Sequence, residues 1–229
     1  MSDDAQTHST ERRSAPHYQP PQAPLDVLFA DDAVVAFDKP SGLLSVPGRG
    51  PDRRDSLATR AADAFGEIHV VHRLDMDTSG VVVMARSLDA LRDLSRQFEQ
   101  RLTQKTYVAC AWGSPAHESG VIDAPMGPDW PNRPLQKIDH VRGKPARTHW
   151  RVLSREHDSC RLELIPVTGR SHQIRVHLAS MGHPILGDVF YAPPAARDAA
   201  PRLLLHAQRL EIAHPATGSA LCLRTPCPF

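Results

Sequence analysis

Lysine is scarce in this chain of 229 residues, although positive charge is not. Only four of the 27 basic residues are lysines, so 23 are arginines, and 26 acidic residues reduce the formal net charge to +1. This near-neutral balance excludes a polybasic protein that holds nucleic acid by bulk charge alone. The arginine excess fits a GC-rich codon usage, and it equally fits bidentate phosphate contacts and base stacking. Composition leaves both interpretations open.

Long apolar runs, paired cysteines and glycine-rich phosphate loops are also missing. No segment approaches the ~20 apolar residues of a membrane-spanning helix, and residues 1–24 lack the apolar core of a signal peptide. We therefore expect a soluble, cytoplasmic protein with no membrane partner. The four cysteines include no CxxC pair and no histidine at zinc-finger spacing, which predicts reduced thiols, no metal site and no disulfide framework.

The remaining pattern predicts one α+β domain at residues 25–229, preceded by a polar, disordered extension at residues 1–24. Strands outnumber helices and occur in hairpins, so we expect a largely antiparallel sheet. Helix N-caps are expected at Ser56, Ser87 and Ser171, with glycines just past two of the helix ends. The expected strands are 27–29, 33–37, 68–71, 81–85, 106–112, 148–152, 160–164, 203–205, 210–212 and 221–223, and the expected helices are 56–64, 88–102 and 172–181.

The first candidate site is the segment HRLDMDTSG at residues 72–80, which is expected to form a loop between two strands. Asp75 follows Arg73 by two residues in this loop, where a carboxylate is well placed to face a cleft. The alternative is a capped turn, in which Asp77 and its neighbours bond local backbone and Gly80 supplies an unusual backbone conformation. Taken alone, the segment is more typical of the capped turn.

The second candidate site is TGRSHQIRVH at residues 168–177. If Ser171 caps a helix there, His172 and Arg175 lie three residues apart and share one face. Arg170 then lies beside the helix N-terminus, where free backbone N–H groups favour phosphate. The apolar residues expected on the opposite face are Ile174, Leu178 and Met181.

Each candidate has a structural alternative. The charged residues of the second segment are equally typical of a solvated polar helix face. A metal site made of His172, His177 and His183 is disfavoured, because residues five apart do not share a helix face. Tyr107, at the start of an expected strand, is more often a core residue, and residues 202–207 are most simply a buried strand that ends in a hydrogen-bonded histidine.

Four segments, HRLDMDTSG, KTYVA, GRSHQIRVH and LLLHA, stand in the order found in the RluA-type pseudouridine synthases. The chain resembles that family from about Pro20 to Phe229, including KPSGLLSVPGR at 39–49, DWPNRP at 129–134 and MGHPILGD at 181–188. The resemblance implies a single α+β catalytic domain, built on a largely antiparallel mixed sheet with flanking helices and loops. It also implies the branch that lacks an N-terminal S4 RNA-binding domain and modifies both 23S rRNA and tRNA.

The resemblance implies a reaction as well. In this family the N-glycosidic bond of a uridine breaks and the uracil rejoins the ribose through carbon 5, without cofactor or metal. The family aspartate falls on Asp75, which would attack the ribose or take a proton from it. The family arginine falls on Arg175, the expected partner of Asp75, and the family tyrosine falls on Tyr107, which would stack on the uracil and help to remove the proton from carbon 5.

The same resemblance assigns residues to RNA binding. The target base has to be flipped out of its stack, and Arg73 is expected to fill the space that it leaves. Ile174 and Leu205 are expected to wall the pocket. The expected RNA-binding set is completed by His72, Arg170 and His172. The expected partners are stem-loops of 23S rRNA and of tRNA, including the anticodon stem-loop, and a monomer is the default.

The distribution of charge agrees with an RNA partner. Residues 1–66 contain 7 basic and 10 acidic residues, a net charge of −3, whereas residues 133–183 contain 10 basic and 4 acidic residues, a net charge of +6. A basic half is what a surface that follows phosphates requires. Three other functions stay open at this point: a non-catalytic RNA-binding module of the same fold, a synthase that acts on rRNA alone, and a glycosidase, which would need a second carboxylate opposite Asp75.

Overall fold

The computed structural model describes residues 18–229, which form a ten-stranded mixed sheet, a separate two-stranded sheet and four α-helices. The strands are β1 Asp26–Ala30, β2 Val34–Lys39, β3 His69–Val70, β4 Ser79–Ala85, β5 Gln104–Trp112, β6 Ser119–Asp123, β7 Met126–Pro128, β8 Gln136–Ile138, β9 Arg147–Arg155, β10 Ser159–Pro166, β11 Leu205–Ala213 and β12 Ala220–Arg224. The helices are α1 Leu57–Phe65, α2 Leu88–Glu99, α3 Gln173–Ser180 and α4 Pro194–Asp198.

The large sheet runs in the order β1-β2-β4-β11-β5-β10-β9-β6, with β3 paired to β4 and β12 paired to β11. Its pairings are antiparallel except for that between β4 and β11. The predicted α+β class with a largely antiparallel mixed sheet is therefore confirmed.

The parallel junction between β4 and β11 includes the last two residues of the first candidate segment, Ser79 and Gly80. Gly80 pairs with Ala207 there at φ 114°, and a Cβ atom on Gly80 would lie only 2.3 Å from the Ala207 carbonyl oxygen. Only glycine allows so close an approach of two strands. The junction brings β4, which follows the HRLD segment, next to the strand that carries Leu205 and His206.

Strand β4 is apolar on both faces because a helix covers each of them. Val81 and Val83 belong to a core cluster with Leu94 of α2, whereas Val82 and Met84 belong to a cluster with residues of α1. A continuous apolar run is typical of a strand buried on both sides. The other half of the sheet, formed by β5, β10, β9 and β6, packs against α3 through a third cluster.

Local capping signals placed the first two helices well. Ser56 and Ser87 accept the N–H groups of the third residue after each cap, and Gly66 ends α1, as predicted. The second helix, however, ends at Glu99 and does not extend to Leu102 as expected. Arg101 adopts a left-handed conformation with φ 59°, which leaves Leu102 exposed.

The structure describes only the last part of the expected extension at residues 1–24, from residue 18 onward. Residues 1–17 lie outside the described residues. Tyr18 is buried, and its hydroxyl donates to the carbonyl of Asp55 and accepts the N–H of Leu44. The ordered domain therefore begins before residue 25.

The start of α3 differs from the prediction. His172, and not Ser171, precedes the first helical residue, and it does so in a left-handed conformation with φ 55° and no side-chain cap. The Gln173 side chain instead holds the segment before the helix, because its Oε1 accepts the Thr168 hydroxyl and the Arg170 N–H. The first six residues of the helix, from Gln173 to Leu178, are buried, so the alternative of a solvated polar face does not hold. His172 and Arg175 nevertheless lie on one side, because both side chains approach Asp75 Oδ2, at 3.9 and 3.2 Å. Among the described residues, no helix is long and apolar enough to cross a membrane.

Candidate active site

Asp75 lies in the loop between β3 and β4, and the peptide groups on both sides of it are anchored. The Ser45 hydroxyl donates to the Leu74 carbonyl and accepts the Leu74 N–H, at 2.7 and 3.1 Å. On the other side, the Lys39 ammonium donates to the Met76 carbonyl at 2.8 Å. Because both neighbouring peptides are fixed to β2 and the segment that follows it, the Asp75 carboxylate is held in place by backbone as well as by its own contacts.

Lys39 is an unusual anchor because its side chain is fully buried. The ammonium also donates to the carbonyls of Pro40 and Leu43, which satisfies all three of its N–H donors. Burial lowers the pKa of Lys39 to about 7, against the opposing effect of the charges on Asp77 and Asp75. Lys39 therefore connects the KPSG turn to the HRLD loop.

Arg175 connects Asp75 to a second carboxylate. Its Nη1 donates to Asp75 Oδ2 at 3.2 Å, while its Nε and Nη2 donate to the two oxygens of Asp188 at 2.8 and 2.6 Å. Arg175 and Asp188 are buried, whereas 28% of the Asp75 side chain is exposed. Burial acts against the charge of Arg175, but the two carboxylates outweigh it and raise the pKa above its usual range. One guanidinium thus holds two carboxylates, of which that of Asp75 is the more exposed.

Aromatic rings surround this ion cluster. The Arg175 guanidinium lies 5.1 and 5.2 Å from the ring centroids of Phe190 and Tyr191. His172 stacks on Phe190, and its Nδ1 lies 2.6 Å from the Tyr191 hydroxyl, which also accepts the N–H of Gln136. The Nε2 atom of His172 is 3.9 Å from Asp75 Oδ2, and burial lowers the pKa of this histidine, so its ring is neutral at pH 7.

A small pocket of about 110 Å³ opens in front of Asp75. Tyr107, Ile174 and Leu205 contribute its apolar surface, and Arg175 and Lys105 contribute charge. Burial raises the pKa of Tyr107 far above its usual range, and the nearby charge of Asp75 raises it further, so the phenol is protonated at neutral pH. The pocket therefore offers a carboxylate, a flat ring and apolar walls at one place.

The pocket adjoins an open cleft of about 1410 Å³. Its lining is rich in cations: Arg49, Arg73, Arg101, Lys105, Arg133 and Arg170. Arg73 is exposed and makes no hydrogen bond or ion pair with any other residue in the range 18–229. Arg170 is partly buried, and its Nε donates to the Pro145 carbonyl at 3.2 Å.

The structure thus brings together most of the residues singled out in the sequence. Asp75, Tyr107, Arg175, Ile174 and Leu205 line the small pocket, which His172, Arg170 and Arg73 also border. His72 is different. It borders the cleft, but its ring stacks on Phe98 at 4.6 Å and its Nε2 accepts the Val83 N–H, so its contacts lie with the scaffold.

The alternatives for the other residues can also be compared with the structure. Within residues 18–229, no group of three or more histidine, cysteine, aspartate or glutamate side chains is arranged to hold a metal ion. His177 bonds Thr148 and the Ala124 carbonyl, and His183 bonds the Trp112 carbonyl, so both are structural. Asp77 lines a cavity other than the one that Asp75 faces, and it does not supply an opposing carboxylate.

Several residues of the site were missed by sequence reasoning. Asp188, Tyr191 and Lys39 were not singled out, although Asp188 ends the MGHPILGD match and Lys39 begins the KPSG match. His206 was expected to be a hydrogen-bonded core residue. Its Nδ1 does pair with the Ser79 hydroxyl, but its buried Nε2 has no hydrogen-bond partner among the described residues. Asp188 lies 13 residues after Arg175, in the loop that follows α3, so no local pattern predicts their pairing.

Comparison with known proteins places this geometry in context. A family model described as RNA pseudouridylate synthase matches residues 33–180. A "Dual-specificity RNA pseudouridine synthase RluA" from Escherichia coli K12 is 51% identical over 215 residues, which cover 93% of this chain and 98% of that protein. A protein of the same description from Yersinia pestis is 52% identical over 204 residues, covering 89% and 99% of the two chains.

Solved structures agree with these matches. The human RNA Pseudouridylate Synthase Domain Containing 1 superposes with a TM-score of 0.75 at 26% identity, covering 92% of this chain and 87% of that one. Human RNA Pseudouridylate Synthase Domain Containing 4 gives a TM-score of 0.71 at 28% identity, covering 89% and 88%.

Proposed function

This chain belongs to the RNA pseudouridylate synthase family, and from that premise we propose that it isomerises specific uridines to pseudouridine in stem-loops of 23S rRNA and of tRNA. The reaction breaks the bond between N1 and C1′, forms a bond between C5 and C1′, and moves a proton from C5 to N1. Every atom of the substrate is retained. The protein therefore has to hold both fragments, exclude water and move one proton.

The observation that carries the proposal is the environment of Asp75. Its carboxylate faces a small pocket and receives one hydrogen bond from Arg175, which is itself held by the buried Asp188. Negative charge at that place stabilises positive charge that develops on the ribose as the glycosidic bond breaks. The same carboxylate is free to bond C1′ or to take a sugar proton.

Tyr107 and the apolar walls suit the detached base. The ring of Tyr107, with Ile174 and Leu205, gives a flat apolar surface on which uracil can stack and turn. The raised pKa of Tyr107 means that its hydroxyl is protonated when Asp75 is charged. A role of Tyr107 in removing the C5 proton therefore requires the phenol to lose its own proton first, against the effect of burial and of any charge on Asp75.

The cleft residues suit the RNA around the target. A uridine in a stacked loop reaches the pocket only after it has been flipped out, at a cost of a few kcal/mol. Arg73 is exposed at the pocket mouth and is free to enter the vacated space. Arg170 and His172, at the start of α3, and His72, on the cleft wall, complete the proposed RNA-binding set.

The test is nucleoside analysis of RNA after incubation with the protein. Transcripts of a 23S rRNA stem-loop and of a tRNA anticodon stem-loop are incubated with the wild type and with Asp75→Asn, which keeps the shape of the side chain but removes its charge. We expect pseudouridine in both transcripts with the wild type, no detectable turnover with the variant, and equal RNA affinity of the two proteins.

Other outcomes identify other functions. Free uracil would indicate a hydrolytic glycosidase, and bound but unchanged RNA would indicate a binding module. Pseudouridine in the rRNA transcript alone would restrict the enzyme to one substrate class. An Asp75→Asn protein that remains active would contradict the assignment of Asp75.

A further inference from the structure

The two-stranded sheet of β7 and β8 forms a hairpin with a buried root and an exposed tip. At the root, Met126 packs with Ala146 and with Val176 of α3, the residue after Arg175. The N–H of Gln136, at the start of β8, donates to the Tyr191 hydroxyl beside the ion cluster. The hairpin is therefore attached to the elements that build the active site.

The tip of the hairpin is ordered by its own hydrogen bonds. The N–H of Asp129 donates to the Leu135 carbonyl, and the N–H of Asn132 donates back to the Asp129 carbonyl, which closes a short 3-10 turn over Trp130–Asn132. The Asn132 side chain adds a bond to the Asp129 carboxylate at 2.8 Å. A loop fixed in this way presents its side chains in defined positions.

Trp130 is the prominent side chain at the tip. It is 65% exposed and belongs to none of the hydrophobic clusters found in residues 18–229. The Arg133 guanidinium lies 3.6 Å from its ring centroid and covers one face. An exposure of 65% with one face covered leaves the other face open to solvent. Because the exposed indole packs in none of these clusters, its open face is available to a ligand.

The surroundings of Trp130 favour RNA as its partner. Pro128, Arg133, Pro134 and Gln136 of the same hairpin line the basic cleft that leads to Asp75. A cationic groove with an aromatic ring beside it matches single-stranded nucleic acid, whose phosphates need cations and whose unpaired bases stack on rings. Neither a membrane nor an acidic peptide requires a flat ring with a guanidinium over one face.

We propose that Trp130, backed by Arg133, is a stacking platform for an unpaired nucleobase of the RNA substrate, separate from the pocket that takes the target uridine. This inference rests on the proposed function, because it assumes an RNA stem-loop in the cleft. Stacking tolerates any base, since every base has a π-face. Such a platform suits an enzyme that accepts two RNA classes of different sequence.

The test compares Trp130→Ala with Trp130→Phe, which keeps an aromatic face. Affinity for a labelled stem-loop is measured in the Asp75→Asn background so that the RNA is not converted, and turnover is measured in the active background. We expect Trp130→Ala to raise Kd by about tenfold or more, the range of one lost base stack, and Trp130→Phe to recover most of that loss. kcat/KM should fall with affinity, while the single-turnover rate at saturating enzyme should stay close to that of the wild type.

Fluorescence gives an independent measurement on the unmodified protein. Trp130 is the strongly exposed member of the three tryptophans, since Trp150 is buried and Trp112 partly so. RNA should shield it from acrylamide quenching, and Trp130→Phe should lose that shielding. Val121→Ala, which removes an exposed apolar side chain outside the cleft lining, is the matched control and should leave Kd unchanged.

Three outcomes would contradict the proposal that Trp130 is a stacking platform. They are wild-type RNA affinity in Trp130→Ala, equal losses of affinity in the Ala and Phe variants, or acrylamide quenching that RNA does not change. The proposed function fails separately. If the wild type binds the stem-loops but forms no pseudouridine, the synthase assignment falls, and the affinity comparison still decides whether Trp130 stacks on RNA.

Discussion

At the centre of the site, Arg175 is buried, donates to two carboxylates and packs against two aromatic rings, whereas Arg73 at the rim is exposed and bonds no other described residue. The two arginines lie on the same pocket. The fixed arginine can orient a carboxylate without rearrangement during the reaction. The free arginine can take a new position when RNA arrives. Each arginine is therefore suited to a task that the other could not perform.

The same contrast holds for the structural elements that carry the central residues and those that carry the rim residues. The central residues are held by strands, by α3 and by buried polar contacts, including those of Lys39 and Ser45 with the backbone around Asp75. The rim consists of loop residues and the hairpin tip that carries Trp130. Changes at the centre should therefore affect stability and chemistry together, whereas changes at the rim should affect RNA handling alone.

The largest effect is expected from Asp188→Asn, which disrupts the ion cluster around Arg175 at the centre of the site. Asp188 is fully buried and accepts two hydrogen bonds from Arg175 as well as the N–H groups of Phe190 and Tyr191. Removing one partner of a buried ion pair costs about 3–5 kcal/mol. Because Arg175 then loses its orientation, kcat/KM should also fall by about a hundredfold. Urea denaturation and steady-state kinetics measure the two losses.

Asp123→Asn is the matched control for that change. Asp123 also pairs with an arginine, Arg147, but both side chains are more than half exposed. An exposed pair contributes little, so stability and turnover should stay near wild-type values. If Asp188→Asn behaved like the control, the fixed arginine would not depend on its buried partner.

A smaller effect is expected from Arg73→Ala at the rim, and it should lower turnover without changing stability. Loss of the side chain that fills the vacated stack should lower kcat/KM by about ten- to a hundredfold, since flipping itself costs a few kcal/mol. The urea midpoint should not change. Arg73→Lys should not restore turnover, because an ammonium lacks the planar surface of a guanidinium. Fluorescence of 2-aminopurine next to the target uridine reports the flipping step directly.

Arg92→Ala, on the exposed face of α2, controls for the loss of one positive charge. A parallel loss of thermal stability and activity in Arg73→Ala would mean that Arg73 supports the fold, and the contrast with Arg175 would disappear.

The sequence was informative where signals are local. Ser56 and Ser87 were predicted as helix caps because the bonds that they make lie within one turn. The start of α3 was not predicted because Gln173 fixes the segment before it through contacts with Thr168 and with the carbonyl of Arg147 in β9, which is distant in sequence. Such contacts exist only after the sheet has formed.

Side-chain direction was the other property that could not be predicted. His72 and Arg73 are neighbours in one motif, and both were expected to contact RNA. In the fold both residues line the cleft, but the His72 ring contacts Phe98 of α2 and Val83 of β4, whereas the Arg73 side chain bonds no other described residue. The loop between two strands has no periodicity from which this could be inferred. Its direction depends on the anchors around Asp75, which are distant in sequence.

The last and smallest effect concerns His72, and it tests whether this residue belongs to the centre of the site or to the rim. Burial lowers the pKa of His72 to about 3, against an ordinary value near ~6.5 in the unfolded chain. Between these two values the unfolded state binds a proton that the folded state does not, so the free energy of unfolding should fall with decreasing pH by up to about 1.4 kcal/mol per pH unit. His72→Gln retains an acceptor for the Val83 N–H and should remove this contribution. The free energy of unfolding, measured by urea denaturation, should then change less steeply between pH 6.5 and pH 5. The contributions of His177 and His206, whose pKa values burial also lowers, should remain. A variant with an unchanged slope but weakened RNA binding would instead place His72 at the rim beside Arg73.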